Sequence, residues 1–526
     1  MRRLLFSALL LATAPIAYAQ QAPVTITPQA VRGHVEFLAD DLLQGREAGT
    51  PGYDIAARYV ATRFAMLGLE PANGDSWYQQ VPLEATQAPD RNVSYVTIGG
   101  RRFAAGEDVV MLGGDGTPAA IKGDVVFVGH GLESAEHGLD DYAGLDVRGK
   151  VVAMLAGAPK SVPGEAAAQL SEGKTALARA KGATAILTIY GRELFKQYSW
   201  DTIAHSTGAQ TALAGNAAPA DEPVRAILSP KAIDALFARA PRSYAQVDTG
   251  AAVRGFALAQ PVAIAHANTS RRFESPNVIG VIPGSDPALK NEVVLLMAHL
   301  DHVGVGRAVK GDAIYNGAMD NAAGTAAMLE VARAFAEGGA RPKRTVMFAA
   351  VTAEEKGLLG SEWLAKHPIG AGKVVAVVNL DMPLLTYDFT DVVAFGAEHS
   401  TMGPLVAAAA AKDGVTLSPD PMPEENLFMR SDHYSFVQQG VPSVFLVTGH
   451  ANGGGKAFRD FLATHYHKPS DDLSLPFNWN AAAKFARVNH AIAASLADAA
   501  QAPRWYADSV YGRKFAPDAP KATRAD

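Results

Sequence analysis

Short, nearly continuous apolar runs recur through the second half of the chain: NVIGVIPG from Asn277, EVVLLMAH from Glu292, RTVMFAAVT from Arg344, KVVAVVNLD from Lys373 and PSVFLVTG from Pro442. Stretches of helical spacing, such as 325–337 and 362–366, separate them. Runs without polar alternation read as strands buried on both faces, and their alternation with helices predicts an α/β fold. The sheet is expected to be mostly parallel (mixed), with helices on both faces. In such sheets functional groups gather beyond the carboxyl ends of the strands. Nearer the start, Val31, Val35, Leu38 and Leu42 recur at helical spacing. So do Ile55, Tyr59, Phe64 and Leu67, after a Gly-Thr-Pro-Gly break, and both helices read as scaffold. From about residue 92 the pattern changes to short β-rich runs (VSYVTI, DVVML, DVVFVGHG, KVVAMLAG), with one helical segment over 170–181 before ATAILTIYG. Few His or carboxylates cluster there, and Asp140-Asp141 reads as a solvated turn. The predicted division is 1–19 as an export signal, 20–114 and 256–510 as the two parts of the main domain, 115–255 as a β-rich insert, and 511–526 as a loose tail.

Composition narrows the function classes. With 526 residues, 48% hydrophobic and 19% charged, the chain has ample core for more than one unit. A net charge of -6 gives no reason to expect nucleic acid as a partner. Gly173-Lys174-Thr175 lacks the leading glycine of a phosphate loop, because Ala168 stands there. The first residues, MRRLLFSALLLATAPIAYAQQ, combine Arg2 and Arg3, an apolar stretch over 4–12 and an Ala17-Tyr18-Ala19 cleavage pattern. They predict export to the periplasm or the medium, and no later run has the ~20 apolar residues of a transmembrane helix. Cysteine is absent, so a metal would have to be held by imidazole and carboxylate.

Candidate chemistry sits where the strands end. His299 and Asp301 form a His-x-Asp pair after EVVLLMA, with Asp301 placed to hold the second ring nitrogen of His299. Asp320 in GAMDN reads as a helix N-cap or as a carboxylate bridging two ions. Thr352 and Glu355 match a capping box, yet adjacent Glu354 and Glu355 can also divide between metal and water. Asp381 ends another strand; His467 follows Tyr466, with His465 as its competitor and Asp471 near enough to orient it. Two imidazoles and three carboxylates plus a spare Glu suit two ions sharing a bridging group. Neither HExxH nor GxSxG occurs, and Ser431-Asp432-His433 cannot converge as a triad because contiguous side chains project apart.

In their order, MAHLDHVG, GAMDNAAG, TAEEKGLLGS, NLDM, RSDHYSF and YHKPSDD resemble the motifs of the M28 family of co-catalytic metallo-aminopeptidases. The segment DDYAGLDVRGKVVAMLAG and the stretch that follows it are similar to the protease-associated insert of many members. The resemblance implies two Zn2+ or other divalent ions, with His299 and Asp381 on one, Glu355 and His467 on the other, and Asp320 bridging. It also implies Glu354 as general base, Tyr466 as oxyanion stabiliser, and a cis peptide between Asp320 and Asn321. The activity implied is removal of N-terminal residues from peptides. Separately, Glu424 and Glu425 in PMPEENLFMRSDH read either as a solvated loop or as added negative charge for the substrate amine. The competing readings are a carboxypeptidase or dipeptidase on the same fold, a single-zinc transferase of glutaminyl-cyclase type, and a catalytically silent binding protein. Oligomeric state is not legible in the sequence.

Overall fold

The computed structural model describes residues 24–524 apart from 87–91, 113–118, 198, 201–202, 205–209, 216–222, 268, 371 and 424–425. The export signal expected over 1–19 lies outside the described residues.

Among the described residues a ten-stranded sheet runs, from one edge, Gln210–Leu213, Tyr78–Thr86, Ser270–Ile282, Thr345–Val351, Glu292–His299, Lys373–Leu380, Ser443–Thr448, Asp391–Phe395 and Thr416–Ser418, with Glu70–Pro71 paired alongside Ser270–Ile282. The four central strands, from Thr345–Val351 to Ser443–Thr448, are parallel. Both margins carry antiparallel pairs, so the sheet is mixed with a parallel centre. Apolar runs predicted these strands because both faces are covered. Val294, Leu296 and Ala298 face helices Pro28–Leu38, Ala323–Glu337 and Trp479–Asp498, whereas Val293, Leu295 and Met297 face the side of Leu364 and Phe436. Register brings the parallel carboxyl ends level: His299 opposes Val351, Met297 opposes Asn379, and Leu380 opposes Leu446. The segments that follow His299, Val351 and Leu380 therefore open on one edge.

The insert has a sheet and a core of its own. Among the described residues its eight strands run Arg101–Ala104, Tyr95–Ile98, Phe256–His266, Ala119–Phe127, Val151–Leu155, Ala185–Ile189, Val224–Leu228 and Val109–Leu112. The unit thus reaches from about residue 95 to 266, wider than the expected 115–255. Its outer strands are recruited by pairing with Phe256–His266 and Val224–Leu228, a long-range choice that local pattern does not encode. Gln210–Leu213 leaves it and pairs with Tyr78–Thr86 at the edge of the main sheet.

The tail also departs from expectation. Residues Val510–Phe515 form a helix, Trp505 and Tyr511 are buried against Phe395, Phe428 and Phe445, and Arg524 pairs with Asp508 at 2.7 Å. Within the expected tail, Tyr511 is an aromatic anchor, and Ala522 exchanges backbone hydrogen bonds with Trp505 and Ala507. No helix among the described residues is long and apolar enough to cross a membrane.

Candidate metal centre

His299 is the last residue of its strand and is almost wholly buried. Its Nδ1 lies 3.1 Å from the backbone carbonyl of Asp301. A carbonyl only accepts, so Nδ1 carries a hydrogen and Nε2 is the nitrogen turned toward the carboxylates, where a metal would displace any proton it holds. That Nε2 stands 3.1 Å from Asp381 Oδ1 and 3.3 Å from Asp320 Oδ1. The other oxygen of Asp320, Oδ2, is 3.4 Å from His467 Nε2, which in turn is 3.0 Å from Glu355 Oε2. Bonds of 2.0–2.1 Å to a tetrahedral ion place neighbouring ligand atoms roughly 3.3 Å apart. The four separations match that spacing, and the two oxygens of Asp320 face different imidazoles, one beside Asp381 and the other beside Glu355. The peptide bond between Asp320 and Asn321 is cis.

Asp301 does not hold the ring of His299 through its side chain. The chain leaves the strand at Leu300, which presents the Asp301 carbonyl to the ring and turns the carboxylate elsewhere. Asp301 Oδ1 accepts from the amide of Glu354 at 3.1 Å and Oδ2 from that of Glu355 at 3.4 Å, fixing the loop that bears both glutamates. Asp471 likewise does not orient His467. Its two oxygens accept from the amides of Met319 and Asp320 at 2.8 and 3.0 Å. Asp381 is steadied through Oδ2 by Ser431 Oγ at 2.5 Å, and Ser431 accepts from Asn379 Nδ2 at 2.6 Å. His465 turns away, with Nδ1 against Ser470. Glu424 and Glu425 lie outside the described residues.

Two residues carry structure here that sequence reasoning passed over. Arg46, which lies between the two predicted N-terminal helices, is fully buried and donates to the carbonyls of Leu300 at 2.9 Å, Asn316 at 2.6 Å, Gly317 at 3.1 Å, and Leu38. It ties together the loops bearing His299 and Asp320. The only signal was an arginine between two turn-forming glycines. His302, the second histidine of HLDH, places Nδ1 2.6 Å from Glu355 Oε1.

The electrostatics follow from crowding carboxylates out of water. Burial pushes Glu354 well above the usual carboxylate range, and neighbouring Asp381, Glu355 and Asp432 add to the effect. Burial raises Asp301 to about 6 and Asp471 to about 8. Burial acts to lower His299 and His467, but the surrounding carboxylates outweigh it and hold both imidazoles well above their ordinary value. Asp320 and Glu355 stay low despite burial because imidazoles contact them. An anionic cluster that draws protons onto its histidines is matched by divalent cations, which displace those protons on binding. The donor set of imidazole nitrogen and carboxylate oxygen suits zinc.

Beside the cluster a cleft is lined by Glu354, Asp381, Met382, Leu427, Arg430, Phe445, Tyr466 and His467, among others. Glu354 has a carboxyl oxygen within 4.8 Å of ligand atoms of His299 and Glu355. Tyr466 stacks on His467 with ring centroids 3.9 Å apart.

Residues 277–493 match the model of peptidase family M28. That region belongs to peptidase family M28. The chain is 28% identical over 191 residues to leupeptin-inactivating enzyme 1 of Streptomyces exfoliatus, covering 34% of this chain and 37% of that protein. It is 29% identical over 222 residues to a probable leucine aminopeptidase 2 of Aspergillus oryzae, covering 38% and 40%. The matched segments thus span well under half of these relatives. A solved aminopeptidase from Aneurinibacillus sp. strain AM-1 is 19% identical and superposes with a TM-score of 0.56, over 91% of this chain and 95% of that one. At this identity the likeness shows the fold, and its coverage reaches beyond the M28 domain into the inserted sheet.

Proposed function

We propose that the protein is a zinc-dependent aminopeptidase that removes residues from the N-termini of peptides. The observation that carries this is the pair of ligand triads joined through the two oxygens of Asp320, with Glu354 free beside them. His299 and Asp381 would hold one cation, Glu355 and His467 the other, and Asp320 both. When bound, the cations supply an acidified water and an electrophile for the scissile carbonyl.

The chain's own groups do the rest. Glu354 accepts the proton of the attacking water at its carboxylate and delivers it to the leaving amine, from its place in the cleft beside His299 and Glu355. Tyr466, packed on His467, offers its hydroxyl to the oxygen that gains charge. A free N-terminus would sit beside the carboxylates of the cleft, while Met382, Leu427 and Phe445 offer apolar contact to the first side chain. Arg430 on the cleft wall favours a second reading, a carboxypeptidase that pairs it with an α-carboxylate.

Digestion of peptides with free or acetylated N-termini and free or amidated C-termini, read by mass spectrometry, separates the two. Loss of single N-terminal residues from free peptides alone is expected, and shortening from the C-terminus would reverse the assignment. Glu354→Gln is expected to keep its full metal content while losing about 10²–10⁴-fold in turnover. Undiminished turnover in that variant would remove Glu354 as the base. Export is part of the same reading, supported by the sequence of residues 1–19, and a secreted chain starting near Gln20 is the expected product. The inserted sheet is read as a protease-associated unit on the sequence pattern given above.

A further inference from the structure

His302 has no part in the ligand set described above. It has no exposed surface, its Nε2 is buried without a hydrogen-bond partner, and its Nδ1 stands 2.6 Å from Glu355 Oε1. His302, Asp320 and Glu355 present donor atoms all within 4.8 Å of one another, so distance alone would also allow His302 as a metal ligand.

The separation from Glu355 decides between these roles. Two ligand atoms on one tetrahedral ion lie roughly 3.3 Å apart. The imidazole–carboxylate pairs of the two triads keep 3.0–3.4 Å. A 2.6 Å contact is too short for co-ligands and fits a charge-assisted hydrogen bond. A carboxylate oxygen only accepts, so the hydrogen is on His302 Nδ1. Glu355 is thereby divided, with Oε1 held by His302 and Oε2 facing His467 Nε2 at 3.0 Å.

The ring has little freedom to leave this position. A Cβ on Gly317 would stand 2.4 Å from His302 Cγ, and the His302 amide donates to the Arg46 carbonyl at 3.3 Å. Its ring meets that of His467 nearly edge-on, at 74° with centroids 5.7 Å apart.

We infer that His302 is a positioning residue that makes Glu355 a one-oxygen ligand, occupying Oε1 so that only Oε2 is offered to the site shared with Asp320 and His467. Holding Glu355 to one oxygen keeps a coordination position free for water or substrate, which a chelating carboxylate would take. This rests on the two-cation reading above.

The test is zinc titration of the metal-free, full-length protein against a competing chelator. Wild type is expected to take up two zinc ions per chain, and fewer than two would defeat the two-cation reading itself. His302→Leu is expected to weaken one of the two binding steps by about 10–100-fold and leave the other unchanged. His302→Asn, whose amide N–H lies near the position of Nδ1, is expected to recover most of that loss. No change in His302→Leu, or equal loss in both variants, overturns the inference. A crystal structure of zinc-loaded wild type gives a check that needs no variant to fold. One Glu355 oxygen on the ion supports the inference, and two oxygens or His302 itself on the ion overturns it.

Discussion

At the scale of residues, Arg46 shows how a charge can organise a site without touching a carboxylate. Every hydrogen bond described for its guanidinium ends on a backbone carbonyl, and three of those carbonyls belong to the loops that carry His299 and Asp320. Burial lowers its proton affinity to about 10, and the fields of Asp301, Asp471, Asp320 and Glu355 oppose that fall. Arg46→Met takes away the donor to the carbonyls of Leu300, Asn316 and Leu38, while that of Gly317 keeps the amide of Ala322 at 3.1 Å. Each carbonyl that stays unsatisfied costs roughly 1–3 kcal/mol. The expected outcome is a loss of at least about 3 kcal/mol, seen as a lower urea midpoint at unchanged slope. Arg46→Lys should recover only part, because a single ammonium cannot span acceptors fixed by a planar fork. A midpoint equal to that of wild type would show that water replaces the guanidinium. The same residue marks a limit of reading the sequence. His299, Asp320, Glu355, Asp381 and His467 stood out because imidazole and carboxylate at strand ends carry their own chemical signal. What Asp301, Asp471, Arg46 and His302 hold depends on where the backbone turns after each strand, and residue type does not specify that.

Among the elements, the apolar runs located the central strands because burial on both faces leaves a strand no polar alternation to show. Direction was less legible. Ser270–Ile282 and Asp391–Phe395 carry apolar residues such as Val278, Ile279 and Val392 like their neighbours, yet both pair antiparallel with the parallel centre. The helix His433–Val437 begins with a histidine that sequence reading discarded along with the false triad. Its ring lies between Phe428 and Phe445, at 5.0 and 5.4 Å, and burial pushes its pKa down to about 3. The folded chain therefore keeps His433 neutral where the unfolded chain, titrating near 6.5, takes up a proton. Between those values the unfolded state binds more protons, so this stability is whole above pH 6.5 and is lost as pH falls toward 3. The slope approaches about 1.4 kcal/mol per pH unit in the middle of the window. His433→Phe fills the same aromatic slot without titrating. Its stability relative to wild type should rise steadily from pH 6.5 to 4, measured by urea unfolding of cation-free protein. A difference that stays flat with pH would mean that His433 is hydrated or paired in the folded state.

For the molecule as a whole, two separate cores stand in one chain. The M28 sheet packs its helices around one set of apolar residues, and the inserted sheet closes on another that includes Phe127, Leu187 and Phe237. The units meet in limited ways. Ala168 packs against the Phe428–Tyr511 cluster, Lys514 donates to Gln169 at 3.2 Å, and Gln210–Leu213 extends the edge of the main sheet. Cations would act on only one of these cores, because His299, Asp320, Glu355, Asp381 and His467 all project from the M28 domain. There they would neutralise a cluster of buried like charges that otherwise repel. A ligand bound only to the folded state adds about 4 kcal/mol when its free concentration is a thousandfold above Kd. Calorimetry of the intact chain should therefore resolve two transitions, of which chelation lowers one and leaves the other in place. The insert should own the transition that does not move, and Lys174→Met identifies it. The Lys174 ammonium donates to the carbonyls of Leu155 and Gly157 at 2.7 Å inside that unit, so its loss should lower only the cation-insensitive transition. One transition that shifts under both treatments would mean that the edge strand and the Ala168 contact bind the two cores into a single cooperative unit. In that case a ligand on the insert would change the stability of the metal centre.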